Sequence, residues 1–239
     1  MLSVFKKLKF IGLLFLFCFS SAQAANLLLP GNLIALNSTR GENLFYQSNH
    51  KINYLPLSIQ FVTQQNLAYC AVASSVMVLN ALGITAPVDP VYKTYAYFTQ
   101  DNFFTPAVSR IITPDEVQHH GMTLDQLGQA LATFSVHVKT IHADKTTLVQ
   151  FRQSARQAID SNDSFIIVNF FRPGLKEEGS GHMSPLAAYD ALSDRFLLLD
   201  VARYKYPPVW VSTQDLWTAI NTLDNDAHAY RGFLLVQKK

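Results

Sequence analysis

The sequence predicts an α+β fold in a two-lobed domain, with helices through the first half and an antiparallel sheet through the second. Three observations carry this. Helical spacing runs from Ala68 to Leu82 and returns behind Thr113 and Thr123. Strand-like apolar runs dominate from Phe165 to the end, and Leu192-Ser193-Asp194 separates two of them as a hairpin turn. With 239 residues, 49% hydrophobic and 15% charged, the chain has the apolar material for a sizeable core. Ten Gly and ten Pro without a fixed period exclude collagen-like, solenoid and low-complexity classes.

Residues 1–24 read as a secretory signal peptide. Lys6, Lys7 and Lys9 form the basic end, Phe10 to Phe19 the apolar stretch, and Ala22-Gln23-Ala24 the small-residue cleavage site. Uncleaved, the segment would tether the protein to a membrane; cleaved, it leaves an exported, periplasmic chain of residues 25–239. Taking three lysines and no acid from a formal charge of +2 leaves −1, which removes nucleic acid from the expected partners. Cleavage also removes Cys18, so Cys70 is the single thiol of the mature chain and has no internal disulfide partner.

The elements follow in order. Asn26 to Asn53 has no clear period and reads as a lead-in with turns at Pro30-Gly31 and Gly41. Ala68 to Leu82 is a helix stopped by Gly83, with Cys70 in its first turn, and Tyr92 to Phe104 is aromatic-rich without a clear period. Thr113 caps a helix that has Pro114 first and ends at Gly121. Thr123 with Gln126 is a capping-box pattern for a helix to about Phe134. Val136 to Ile141 alternates as a strand, and Thr146 to Ser161 is helical. Strands follow at Phe165 to Phe171, His182 to Ala191, Phe196 to Val201 and Gly232 to Gln237, with a helix from Thr213 to about Leu223 before the last.

A thiol in a helix's first turn feels the positive end of the helix dipole, which favours thiolate. Cys70 is therefore a candidate nucleophile, against the alternative of a buried inert cysteine. Gln64, on the segment entering that helix, is placed to donate its amide to an oxyanion. A thiolate needs an acid/base partner, and of the seven histidines only His182 opens a core strand straight after a glycine-rich loop. Asp200 ends the apolar run Phe196 to Leu199, where an ionised carboxylate is costly unless paired, so it is the candidate orienter of His182 or else an ordinary strand-end acid. A metal-binding or thiol-storage role is the rival from another class. It is weak because no Cys/His cluster has zinc-ligand spacing.

Gln64 to Leu82 (QQNLAYCAVASSVMVLNAL), Gly181 to Tyr189 (GHMSPLAAY), Leu199 to Val211 (LDVARYKYPPVWV) and Arg231 to Leu235 (RGFLL) closely resemble the catalytic domain of phytochelatin synthases, of the papain-like cysteine-peptidase superfamily. The resemblance covers Leu55 to Gln237. It implies a papain-like fold with Cys70 as nucleophile, His182 as acid/base, Asp200 as orienter and Gln64 as oxyanion donor. Asp224 and Arg231 fall on positions resembling the family's γ-glutamyl contacts, the acid for the α-ammonium and the base for the α-carboxylate; without the resemblance they read as a surface ion pair.

The implied chemistry is cleavage of the Cys–Gly amide of glutathione through a γ-glutamylcysteinyl thioester. Water then gives γ-glutamylcysteine, and a second thiol peptide gives phytochelatin. Plant members continue into a long cysteine-rich region, and this chain ends at Lys239, as short bacterial members do. That ranks hydrolysis first, with weak transpeptidation, and a true phytochelatin synthase as the alternative. The partners implied are glutathione and γ-glutamylcysteinyl peptides, and a homodimer is compatible with the reading. No cofactor is expected for acylation. Cd²⁺ or Zn²⁺ enters only as a metal–thiolate complex of the second substrate.

Overall fold

A computed structural model describes residues 27–89, 91 and 93–239; the signal-peptide reading, Cys18 and Tyr92 lie outside the described residues. The elements in chain order are β1 (Ile34–Ala35), α1 (Thr39–Gln47), α2 (Tyr54–Ile59), α3 (Cys70–Ala81), α4 (Pro114–His120), α5 (Leu124–Ala132), β2 (Val136–His142), α6 (Leu148–Ile159), β3 (Ser164–Phe171), β4 (Gly181–Asp190), β5 (Arg195–Leu198), β6 (Val209–Ser212), α7 (Thr213–Ile220), β7 (Leu223–Asp224), β8 (Ala229–Tyr230) and β9 (Gly232–Lys238). Helices and an antiparallel sheet make this an α+β fold.

Seven strands form one sheet in the order β1-β6-β5-β4-β3-β9-β2, every pair antiparallel. The inner strand β3 is apolar from Phe165 to Phe171 except at Asn169, because both faces of the sheet are covered. Phe165 and Ile167 point into a core shared with α3 and α5, while Ile166, Val168 and Phe170 point into a second core beneath α6 and α7. Helix α3 has no polar face at all: Ala71 to Leu79 are all buried. Its two serines are satisfied internally, Ser74 Oγ donating to Met183 O and Ser75 Oγ to Ala71 O.

The local signals hold where the partners are local. Thr113 and Thr123 both form complete capping boxes, with Glu116 and Gln126. Three expectations are corrected. The lead-in contains β1 and α1, and Gly41 is no turn but sits in the first turn of α1, where a Cβ would collide with the Ala35 carbonyl. The strand expected to reach Val201 ends at Leu198. Leu199 N–H instead donates to Pro185 O past a bulge in β4, and Asp200 turns the chain by accepting the Ala202 N–H. The helix expected from Thr213 to Leu223 stops at Ile220 and is capped by Ser212, because the Thr213 hydroxyl is taken by Asp194.

Candidate active site

Cys70 is the first residue of α3, and the helix is pinned to the sheet one turn later by the Ser74 to Met183 hydrogen bond of 3.1 Å. Met183 follows His182 on β4, so one contact sets the distance between the half-buried thiol and the buried imidazole. β4 is itself held against β3 in the register Phe170 to His182, with the imidazole edge-on to the Phe170 ring at 5.5 Å between centroids.

His182 Nε2 lies 2.8 Å from Asp200 Oδ1, and Asp200 is fully buried. Ser184, two residues on and therefore on the same face of the strand, places its Oγ 3.1 Å from the same nitrogen and accepts the Val201 N–H. Cys70 is hydrogen-bonded to His182 and to the backbone at Met183.

The electrostatics follow from these contacts. Burial pushes the Cys70 thiol up, but the His182 charge and hydrogen bond, the Met183 backbone and Arg172 outweigh it and hold the pKa below the ordinary thiol value. Burial pushes the His182 imidazole down, but the Asp200 carboxylate outweighs this and the pKa is pushed up to about 9. Asp200, raised by burial, is held well below the usual carboxylate range by His182, Arg172 and the Ala202 N–H. A lowered thiol pKa beside a raised imidazole pKa favours the thiolate–imidazolium pair next to an ionised Asp200, which is the direction nucleophilic catalysis by a cysteine requires.

The thiol opens on a cleft of about 950 Å³ whose walls include Cys70, Asn169, Gly181, His182, Asp224 and Arg231, with His119 and His120 at its helical side. Gln64 is buried and is not among the residues that line this cleft. Its backbone N–H donates to Val201 O at 3.0 Å, and its Nε2 donates to Asn66 O at 2.6 Å. Oε1 is left without a partner. The amide is thus held by its own loop in this structure.

Asp224 and Arg231 are brought together by the β7–β8 ladder, which replaces the expected simple loop. They are not a surface pair, since Arg231 is only 7% exposed. Its Nη1 donates to Leu223 O at 2.7 Å, its Nη2 lies 3.4 Å from Asp224 Oδ1, and its Nε is buried without a partner. This loose acid–base pair, with one donor to spare, faces the cleft.

The family model described as phytochelatin synthase matches residues 24–233. The chain belongs to the phytochelatin synthase family. It is similar to glutathione gamma-glutamylcysteinyltransferase 3 of Lotus japonicus, 33% identical over 77% of this chain and 37% of that protein. It is also similar to glutathione gamma-glutamylcysteinyltransferase 1 of Triticum aestivum, 34% identical over 84% of this chain and 40% of that protein. The Schizosaccharomyces pombe glutathione gamma-glutamylcysteinyltransferase is 26% identical over 87% of this chain and 50% of that protein. The chain therefore spans half or less of the length of these relatives.

Several residues around this site escaped the sequence reading. Asn169 is the one polar residue inside the apolar run of β3, a signal that was there to be read. Ser184 shares the face of His182 at period two. Arg172 and Glu177 carry no such signal, because charges in a loop with Pro173, Gly174 and Gly179 look solvated, yet both are buried.

Proposed function

We propose that the chain is a cysteine acyltransferase with a papain-like arrangement, acting on glutathione. The observation that carries the reading is the hydrogen-bonded row Cys70, His182, Asp200 opening on a cleft that also holds the Asp224–Arg231 pair. In the first half-reaction the Cys70 thiolate attacks the carbonyl of the Cys–Gly amide. Charge develops on the carbonyl oxygen near the start of α3, where the Cys70 N–H is a donor and the Gln64 amide becomes one by leaving Asn66. His182 gives its proton to the glycine nitrogen, glycine leaves, and a γ-glutamylcysteinyl thioester remains on Cys70. Asp224 and Arg231 hold the α-ammonium and α-carboxylate of the γ-glutamyl group.

In the second half-reaction the α-amine of another glutathione attacks the thioester carbonyl. It passes its proton to His182, and the thiolate leaves with a chain lengthened by one γ-glutamylcysteinyl unit. The sequence alone ranks water ahead of this acceptor. The relatives are all named as transferases, which supports the reverse order. Cd²⁺ or Zn²⁺ belongs to the acceptor, as its thiolate complex, and residues 1–24 direct residues 25–239 out of the cytoplasm. The test is incubation with glutathione, with and without Cd²⁺, followed by mass analysis. Peptides with two or more γ-glutamylcysteinyl units are expected. Only γ-glutamylcysteine would leave a hydrolase, and no release of glycine would overturn the reading.

A further inference from the structure

Behind Asp200 stands a buried ion pair that the proposed steps do not use. The β3–β4 loop folds back on itself, Arg172 N–H donating to Ser180 O at 3.0 Å and Glu177 N–H to Arg172 O at 3.1 Å. Inside it, Arg172 Nη1 lies 2.5 Å from Glu177 Oε2, and Nη2 lies 3.0 Å and 2.8 Å from the two oxygens of Asp200. The side chains of Glu177 and Asp200 are 0% exposed. The guanidinium sits over the rings of Phe170 and Tyr206, and a Cβ at Gly179, which has φ +128°, would press within 2.9 Å of Arg172 Cδ. A loop shaped this closely around two charges is a costly way to fill space, since apolar residues fill a core at least as well.

We propose that Glu177 is a positioning residue for the His182–Asp200 pair, holding one arm of the Arg172 guanidinium so that Asp200 meets a single nitrogen and not the two-nitrogen fork. Arginine left alone with one carboxylate closes that fork on it and draws its charge away from other partners. With Glu177 in place, Asp200 keeps its hold on the imidazolium, and the Arg172 charge is balanced on its far side. The inference rests on His182 being the acid/base of the proposed function.

The charged groups facing Glu177 are Arg172 from its own loop, Asp200 from the loop after β5 and His182 from β4. Tyr206 packs on Arg172 and takes the Glu178 N–H at 2.8 Å, and Lys205 Nζ approaches Gly179. Burial pushes the Glu177 carboxyl up to about 7, against Arg172. Glu177 is therefore charged where the imidazolium loses its proton near pH 9. Removing its charge should move that basic side.

The experiment is a titration of the His182 imidazole by NMR in the histidine-labelled full chain, wild type against Glu177→Gln, with no substrate present. The pKa of His182 is expected to fall by roughly half a unit to one unit. The basic limb of the kcat/KM profile with glutathione should fall by the same amount. An unchanged His182 titration overturns the proposal. If Gln does not fold, Glu177→Asp decides it: a carboxylate one methylene short must still lower the His182 pKa, and a wild-type value overturns the proposal. Failure of the wild type to cleave glutathione would remove the functional reading and leave the NMR result standing.

Discussion

The Ser74 hydroxyl donates to the carbonyl of Met183 at 3.1 Å, tying the helix that begins with Cys70 to the strand residue beside His182. Ser74 is four residues after the thiol, on the same face of α3, so loosening it lets the thiol move away from the imidazole. Ser74→Ala should cost about 1 kcal/mol of stability. It should also raise the pH at which Cys70 becomes reactive, read as the rate of iodoacetamide alkylation of the Cys70 peptide against pH.

Cys70→Ser should abolish glycine release with the fold kept, because a serine hydroxyl at this position stays protonated. His182→Ala should be nearly as damaging. Asp200→Asn should keep more activity but melt earlier, by the ~3–5 kcal/mol typical of breaking a buried pair, since Arg172 loses one of its two carboxylates. Single-turnover assays and thermal melts on the three variants check this.

Gln64→Ala should lower the chemical step by about 10²- to 10³-fold with little change in KM, the usual loss for one oxyanion donor. The Gln64 amide already donates to Asn66 O at 2.6 Å before substrate arrives. A rise in KM alone would make Gln64 a binding residue.

Recognition of the γ-glutamyl end is tested best at Asp224. Arg231 also holds the Leu223 carbonyl, so its removal will lower stability as well as activity. Asp224→Ala should raise KM for glutathione, and it should lose little further on glutaryl-Cys-Gly, which lacks the α-ammonium. Wild-type enzyme should lose far more on that analogue, and equal losses would show that Asp224 does not read the ammonium.

The stability of Cys70→Ser should fall on both sides of mildly acidic pH. Above it, Asp200 still holds the His182 pKa above its ordinary value without the thiolate, and Glu177 carries one raised to about 7, so both favour the folded state in their protonated forms. The Glu177 contribution is complete below its ordinary pKa and gone above about 7; that of His182 is complete below its ordinary pKa and is lost as pH rises through its raised one. Below it, the depressed Asp200 acts in the other sense, stabilising the fold above the ordinary carboxylate pKa and losing effect as acid protonates it. Thermal melts across pH 3 to 10 read the curve, and the Ser variant removes the opposing contribution of the thiol.

Legibility in the sequence followed the range of the forces involved. Thr113, Thr123 and their glutamate and glutamine partners lie three residues apart, and the helices they cap were readable. β1 was not, because two residues make a strand only by pairing with Val209 and Trp210. Cys70, His182 and Asp200 stood out because each is chemically out of place: a lone thiol at a helix start, an imidazole behind glycines, a carboxylate after four apolar residues. Arg172 and Glu177 are equally out of place in the fold, but only the long-range burial of their loop reveals it.

Ser74 and Met183 join segments more than a hundred residues apart, and the acidity of Cys70 comes from that junction and from His182 beside it. An unfolded or half-made chain has an ordinary thiol, inert to mild electrophiles at low pH. Reactivity below the ordinary thiol pKa is therefore a gauge of assembly: one alkylation measurement counts the molecules in which helix and strand have docked, without reference to any substrate.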